Sequence, residues 1–89
     1  MNSRTTKRFR QMLSELPVNI RKQAKESYKL FREDLRHPSL RFKKVHNTDP
    51  IYAARININY RVVGIVDSGE IIWFWIGPHT EYEKLLGEL

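Results

Sequence analysis

The first third of the chain carries a hydrophobic pattern of helical period. Four apolar residues fall at positions i, i+3, i+4 and i+7, on one face of a helix: Phe9, Met12, Leu13 and Leu16. Either Thr5 or Thr6 can cap the start of this helix. The step from Leu16 to Pro17 ends it, because the residue before a proline is disfavoured in the helical conformation.

A second helical pattern begins at Pro17, which suits the first turn of a helix because its missing N–H is not needed there. Six residues repeat at helical spacing over about four turns: Ile20, Ala24, Ser27, Tyr28, Phe31 and Leu35. Another stripe of this helix is basic and consists of Lys22, Lys25, Lys29, Arg32 and Arg36. The two patterns predict an N-terminal helical hairpin with one basic face.

From residues 37–39 onward the hydrophobic period shortens towards two, which indicates strands. Four segments are predicted to be strands: 41–46, 51–58, 60–66 and 71–76. The last reads IIWFWI, which is too short and too rich in β-branched and aromatic residues for anything but a buried strand. Turn-forming residues at 47–50, 57–59 and 67–69 separate these segments. Such short connections favour antiparallel neighbours.

The C-terminal segment is predicted to be a short helix. Gly77 and Pro78 end the last strand, and Thr80 and Glu83 then have capping-box spacing. The helix should run to Leu86, with the glycine at position 87 as its C-terminal stop. The complete pattern predicts one α+β domain, residues 1–89, with a helical hairpin packed on one face of a three- to four-stranded antiparallel sheet.

Charge is distributed unevenly along the chain, which has a formal net charge of +6. Residues 1–46 hold thirteen basic and four acidic residues, whereas residues 47–89 hold three basic and six acidic ones. A strongly basic half is suited to polyanions, because each phosphate contact releases condensed counterions. The candidate partners are nucleic acid, a ribosome or an acidic protein, and the alternative is a solvated surface that keeps the protein soluble.

Several functional classes are excluded by what the sequence lacks. The absence of cysteine excludes a disulfide scaffold and a thiolate zinc finger. The histidines at 37, 46 and 79 are isolated, so we expect no metal or other cofactor. The longest apolar run, 71–76, is far shorter than the ~20 residues of a membrane span. The N-terminal segment has no apolar core of a signal peptide. We therefore expect a soluble, cytoplasmic protein with no membrane partner.

The remaining candidates for chemistry are basic and aromatic residues on or beside the predicted sheet: Arg41, Lys43, Lys44, Arg55, Arg61, His79 and Tyr82. Strand alternation would place Arg41 and Lys43 on one face and Lys44 on the other. Such a set suits metal-free RNA cleavage through the 2′-hydroxyl, in which a base takes the hydroxyl proton, cations stabilise the phosphorus centre and an acid protonates the leaving oxygen.

Each of these residues also has a purely structural explanation. Tyr82 fits a core aromatic, His79 an ordinary turn residue and Arg55 a support for the fold. The basic helical stripe fits a solvated face, because glutamates at 26 and 33 stand four residues from lysines at 22 and 29 and can pair with them. Arg61, in an otherwise apolar strand, is the hardest to explain in this way.

The ordered set of segments HPSLRFKKVH, IYAARI, NYRVVGIV and EIIWFWIGPHTEY resembles the RelE/ParE superfamily of bacterial type II toxins, from about residue 6 to residue 86. The resemblance implies an α+β fold like the predicted one. It also implies one of two activities: ribosome-dependent mRNA cleavage, as in RelE-like members, or inhibition of DNA gyrase, as in ParE-like members. A degenerate, non-catalytic module that only binds an antitoxin is a third reading.

The resemblance assigns roles to individual residues. In the nuclease branch Arg61 matches the transition-state arginine, Arg55 a second strand arginine, and His79 and Tyr82 the late pair. The general base falls near Lys43 or Lys44, with the histidine at 46 as an outside alternative. RNA and ribosome contacts would come from Lys22, Lys25, Lys29, Arg32, Arg36 and Arg41.

We favour the RelE-like reading, which implies a toxin that arrests growth by inhibiting translation, needs no cofactor and is held inactive by a cognate antitoxin. Its other partners would be the ribosome and mRNA, with operator DNA reached only through the antitoxin. Two departures from the family pattern stand out. Only residues 2–4 are available for the usual N-terminal edge strand, and His79 and Tyr82 are three residues apart and followed by EKLLGEL.

Overall fold

The protein folds into a five-stranded sheet with helices on both faces. The computed structural model describes residues 1–89, with the elements β1 (Asn2–Thr5), α1 (Lys7–Ser14), α2 (Val18–Glu33), a one-turn 3₁₀ helix (Pro38–Leu40), β2 (Lys43–Lys44), β3 (Ile51–Asn57), β4 (Tyr60–Asp67), β5 (Glu70–Pro78) and α3 (His79–Glu88). The strand order is β1-β5-β4-β3-β2. All neighbours are antiparallel except β1 and β5, which are parallel. The predicted α+β class is confirmed.

The sheet has five strands instead of the three or four predicted, because β1 forms an additional N-terminal edge strand. Ser3 fixes its position by accepting a hydrogen bond at Oγ from the indole Nε1–H of Trp73 (2.9 Å). Arg4 adds an ion pair with Glu70 (2.8 Å), and the N–H of Thr6 donates to the carbonyl of Trp73 (3.0 Å). A strand of four residues is too short to show a period of two, so these long-range contacts define it.

The predicted strand over 41–46 shrinks to the two residues of β2. Residues 38–40 form a 3₁₀ turn, capped by Nδ1 of His37 through the N–H of Ser39 (3.2 Å), and Leu40 is buried in the core. Arg41 then takes a left-handed conformation with φ 46°, which is incompatible with a strand. The predicted alternation of Arg41 and Lys43 on one strand is therefore wrong.

The helix boundaries also differ from the prediction in detail. Thr6 caps α1, since its Oγ1 accepts from the N–H of Phe9 (3.0 Å). Helix α2 ends at Glu33, so Arg36 lies in the following turn, where its N–H donates to Asp34 Oδ1 (3.1 Å). Helix α3 begins one residue before Thr80 and continues through the glycine at 87, so neither the predicted capping box nor the predicted stop forms.

The hydrophobic core is divided by the sheet into two clusters. The face below α1 and α2 buries Phe9, Phe31, Leu40, Ala54, Ile71, Trp73 and Ile76. The opposite face, below α3, buries Ile51, Ala53, Val63, Trp75 and Tyr82. Trp73 and Trp75 separate in this way because Phe74 is an extra residue in β5: Trp73 pairs with Gly64 and Trp75 with Val63. Such a bulge reverses the alternation of side chains.

The two arms of the N-terminal hairpin do not close on each other. A groove of about 560 Å³ lies between α1 and α2, with apolar side chains such as Leu13, Ala24 and Ile56 along it and Arg10, Arg21 and Lys25 at its border. The hairpin therefore packs on the sheet, as predicted, while leaving an open channel above it. None of the three helices is long and apolar enough to cross a membrane.

A substitution at Gly64 tests the close packing beside the bulge in β5. A Cβ at this position would lie 2.8 Å from Trp73 Cε3 and 3.0 Å from the backbone oxygen of Ile72. We expect Gly64→Ala to lower the free energy of unfolding by about 1–3 kcal/mol, the usual cost of overpacking a core. Urea denaturation followed by tryptophan fluorescence measures this change.

Gly87→Ala is the matched control, because a Cβ there meets no atom within 4 Å and the residue lies inside α3. Alanine is the better helix former, so the variant should be unchanged or more stable by up to about 1 kcal/mol. Equal stability of the Gly64→Ala variant and wild type would contradict the packing described here.

Candidate functional site

The candidate site lies on the face of the sheet that carries α3, where cross-strand pairing builds two adjacent rows of residues. One row consists of Lys43, Ala53, Val63 and Trp75. The next row consists of Arg55, Arg61 and Gly77. Directly paired side chains on one face have Cβ atoms about 4.5–5.5 Å apart. The register therefore brings two arginines into direct contact range, with Lys43 on the diagonal.

Helix α3 covers part of this face of the sheet. Its first residue is His79, and Tyr82 follows one turn later on the same side of the helix. Their ring centroids are 6.0 Å apart, and Tyr82 also packs against Trp75 at 6.4 Å. His79 and Tyr82 are three residues apart in the sequence and are neighbours in space, because both lie on one side of α3.

Arg61 is half-buried and its side chain is fixed by the turn between β3 and β4. Its Nη1 donates to the carbonyl oxygens of Asn57 (2.7 Å), Tyr60 (3.0 Å) and Ile58 (3.3 Å). The other guanidinium N–H groups make no hydrogen bond within the chain. A guanidinium has five donors, so Arg61 is held by one nitrogen and keeps donors free for an anion.

Positive charge at the site is not balanced by carboxylates. None of the residues Arg41, Lys43, Arg55 and Arg61 belongs to an ion pair of the chain. Burial lowers the pKa of Arg61 from its ordinary value, and the nearby charges of Arg55 and Arg41 lower it further. An arginine remains protonated at any physiological pH. The site is therefore a concentration of fixed positive charge that favours an anionic ligand.

Tyr82 is buried, and burial raises its pKa above the ordinary value of 10.0. The positive charge of Arg61 acts in the opposite direction, and the effect of burial is the larger. The phenol is therefore protonated at neutral pH and can donate a hydrogen bond. His79 is more exposed, and its Nε2 lies 3.6 Å from Glu83 Oε1, one turn further along α3.

The two candidate lysines lie on opposite faces of the sheet. Lys43 pairs with Ala53, whose side chain faces α3, whereas Lys44 pairs with Tyr52, which packs with the cluster below the hairpin. Both ring nitrogens of His46 already have partners within the chain. Its Nδ1 accepts from the N–H of Asp49 (2.9 Å), and its Nε2 lies 3.3 Å from the carbonyl oxygen of Leu89. The structure thus brings Lys43, and neither Lys44 nor His46, to the row beside Arg55.

The basic stripe of α2 lies on the far side of the sheet from Tyr82. Lys22, Lys25, Lys29 and Arg32 are all exposed. The glutamate–lysine pairs that the spacing predicted along this helix do not form, so these cations are also unpaired. Arg36 lies outside the helix and Arg41 beside Arg61, so the predicted RNA-binding set divides between two surfaces.

The structure adds residues that the sequence did not single out. Asn57 ends β3 and organises the turn that holds Arg61, and its signal was its place in the short Asn-Ile-Asn break between two strands. Gly77 pairs with Arg61, and a Cβ there would lie 2.8 Å from the Trp75 indole. No group of three or more His, Asp or Glu side chains is arranged to hold a metal ion.

The sequence model of one family, described as a ParE-like toxin domain, matches residues 18–84. The chain belongs to the ParE-like toxin family. The match covers about three quarters of the chain, including α2, the central strands and most of α3. The resemblance to the RelE/ParE superfamily of toxins is therefore confirmed. No curated protein sequence matches the chain.

Solved structures share the fold of this ParE-like toxin across nearly its whole length. The RelE toxin in the RelB–RelE antitoxin–toxin complex of Methanococcus jannaschii superposes with a TM-score of 0.73 at 22% identity, over 92% of this chain and 96% of that one. YafQ of Escherichia coli gives 0.72 at 8% identity, over 91% and 96%. The isolated Escherichia coli RelE toxin gives 0.65 at 17% identity, over 99% and 98%.

Burial of Tyr82 predicts a pH-dependent stability at alkaline pH. A raised pKa means that the stability contributed by the protonated phenol is fully present below about pH 10, the ordinary value, and is lost as the pH rises through the raised pKa. We expect Tyr82→Phe to stay within about 1 kcal/mol of wild type at pH 7 and to lose less stability than wild type above pH ~10.

Urea titrations at pH 7, 9, 10 and 11 measure this difference. Tyr28→Phe is the control, because Tyr28 is an exposed ring on α2. If wild type and Tyr82→Phe lose stability in parallel above pH ~10, Tyr82 is not buried as described.

Proposed function

We propose that this ParE-like toxin cleaves mRNA on the ribosome without a metal ion, and that a cognate antitoxin holds it inactive. The observation that supports the proposal best is the paired row of Arg55 and Arg61, whose charges no carboxylate balances, beside the phenol of Tyr82. Such a cluster stabilises the crowded, five-coordinate phosphorus centre of RNA cleavage, because guanidinium donors match phosphate oxygens in geometry and charge.

The proposed reaction uses the 2′-hydroxyl of the RNA as nucleophile. Lys43, on the same face as the arginines, takes the hydroxyl proton in its neutral amine form and becomes an ammonium ion, and the 2′ oxygen attacks the adjacent phosphorus. Arg61 and Arg55 stabilise the negative charge that develops on the phosphoryl oxygens. The bond to the 5′ oxygen breaks, and His79 gives that oxygen a proton. The products are a 2′,3′-cyclic phosphate and a 5′-hydroxyl end.

Tyr82 would act as a hydrogen-bond donor rather than as the base. Its raised pKa keeps the hydroxyl protonated at neutral pH, and the hydroxyl is close enough to Arg61 for the charge of that arginine to act on it.

The exposed cations of α2 would bind ribosomal RNA. This helix lies on the opposite face from Tyr82, but its N-terminal part reaches the turn that holds Arg61: the side chains of Gln23 and Asn57 are 2.6 Å apart. A phosphate backbone bound along Lys22, Lys25 and Lys29 would therefore pass close to the candidate site. Such binding is electrostatic and falls steeply with added salt.

The groove between α1 and α2 would receive the antitoxin. Its apolar floor and the cations at its border fit an amphipathic segment with acidic residues along its edges. The relative from Methanococcus jannaschii was crystallised as an antitoxin–toxin complex, which supports an antitoxin as the partner of this chain.

Inhibition of DNA gyrase is the second candidate function. Two observations favour it: the matching family is described as ParE-like, and Nη1 of Arg61 is committed to three backbone carbonyls, which is a structural role. In this case the basic surfaces would bind the enzyme or its DNA, and the protein would carry out no chemistry. A supercoiling assay with purified gyrase tests this function directly.

Removal of Arg61 separates cleavage from binding. In a purified translation system, primer extension on a reporter mRNA should show new 5′ ends that require both ribosomes and wild-type protein. Arg61→Ala should reduce the cleavage rate about 10²–10³-fold, the usual cost of losing one transition-state donor, while ribosome co-sedimentation is retained. An intact message with wild-type protein would contradict the nuclease proposal and favour the gyrase assay.

Lys43 and Lys44 form a matched pair that tests which face of the sheet carries the chemistry. Lys43→Ala should lower the rate about 10²–10⁴-fold, the usual contribution of a general base. Lys44→Ala removes the same charge from the other face and should leave the rate close to that of wild type. A larger loss for Lys44→Ala, measured by single-turnover cleavage on programmed ribosomes, would overturn the assignment of the site to the face of α3.

A further inference from the structure

The turn between β3 and β4 is held together by one side chain, that of Asn57. Its Oδ1 accepts from the backbone N–H groups of Asn59 (2.8 Å) and Tyr60 (3.0 Å), which closes the two-residue loop as an Asx turn. Its Nδ2 donates to Oε1 of Gln23 on α2 (2.6 Å). The amide oxygen thus accepts two hydrogen bonds and the amide nitrogen donates one, although the residue is only half-buried.

Two functional groups of the candidate site depend on the carbonyl groups of the same turn. The guanidinium of Arg61 donates through Nη1 to the carbonyls of residues 57, 58 and 60, as described above. The carbonyl of Asn59 accepts from the N–H of His79, the first residue of α3, at 2.7 Å. The backbone of one short turn therefore orients an arginine of the sheet and fixes the start of the helix that carries the other candidates.

The position of Asn57 follows from an irregularity in β3. Arg55 pairs with Arg61, but Asn57 pairs with Tyr60, so Ile56 is an extra residue on β3. The bulge turns the last residue of the strand towards the loop, where its side chain can reach the N–H groups two and three residues further on. A hydrophobic residue here would leave those N–H groups without their acceptor.

We infer that Asn57 is a positioning residue for the candidate site: through the turn it shapes, it sets the direction of the Arg61 guanidinium and the place of His79. The effect on catalysis rests on the proposed function. The effect on the position of Arg61 and His79 rests on the hydrogen bonds alone. Asn57 itself touches no reacting atom in this scheme. Gln23 extends the same network to α2, which connects the basic helix to the site.

The test combines a spectroscopic signal with a rate. Side-chain ¹H–¹⁵N resonances of Arg61, assigned by comparison with Arg61→Ala, report the guanidinium environment without any need for activity. Asn57→Ala should shift these resonances and lower the single-turnover cleavage rate about 10²-fold, the cost of a small misplacement of a reacting group. Ribosome co-sedimentation should be retained, because the cations of α2 are unchanged.

Two further variants distinguish a specific effect of Asn57 from a general loss of folding. Asn57→Ser retains a side-chain oxygen that can accept from the turn, and it should show a smaller shift and a rate between those of Asn57→Ala and wild type. Asn19→Ala, an exposed asparagine on α2 outside the network, should match wild type in both measurements. In the Arg61→Ala background, Asn57→Ala should cost much less than it does alone, since the two residues act as one unit.

The outcomes separate this inference from the proposed function. Unshifted Arg61 resonances in Asn57→Ala overturn the positional link, whatever the activity of wild type. Additive losses in the double variant overturn the claim that Asn57 acts through Arg61. If wild type leaves mRNA intact while the resonances shift, the proposed function is wrong and the link between the turn and the arginine stands.

Discussion

Because Phe74 has no partner on β4, the side chains of Trp73 and Trp75 point to opposite faces of the sheet. Trp73 fills the core below the N-terminal helices, and its indole N–H holds β1 through Ser3. Trp75 fills the core below α3 and packs against Tyr82. One extra residue in β5 thus lets the sheet bury a large aromatic on each side and carry helices on both faces.

The strands that this core supports also place like charges side by side. Arg55 and Arg61 face each other across β3 and β4, an arrangement that is unfavourable in the absence of an anion. The carbonyl oxygens of the β3–β4 turn offset part of this repulsion at Arg61, and no carboxylate removes the rest. An anionic ligand would relieve it. The two faces therefore differ in character: an apolar groove between α1 and α2, and a cationic row beside α3.

Much of the fold followed from local signals. Three kinds of signal were local: the helical repeats around Phe9 and Phe31, the β-rich runs of β3 to β5, and the turns between them. Each depends on residues that are close together in the chain, so the linear sequence is enough to predict it. The candidate residues Arg55, Arg61, His79 and Tyr82 were likewise visible as polar or aromatic residues at the ends of apolar segments. The resemblance to known toxins added the family, and the match to the ParE-like toxin domain confirmed it.

The sequence by itself determined the element types and the set of available charges, because both depend on residues close together in the chain. Only the tertiary structure decided that residues 2–5 form a strand, that Arg41 leaves β2, and that Lys43 is the lysine on the face that carries α3. The strand at residues 2–5 and the faces of the two lysines depend on pairing with other strands of the sheet. A single bulge also changes the face of every later residue in its own strand. The role of Asn57 arises partly in the same way, because folding alone brings Gln23 to its side chain and His79 to the backbone of its turn.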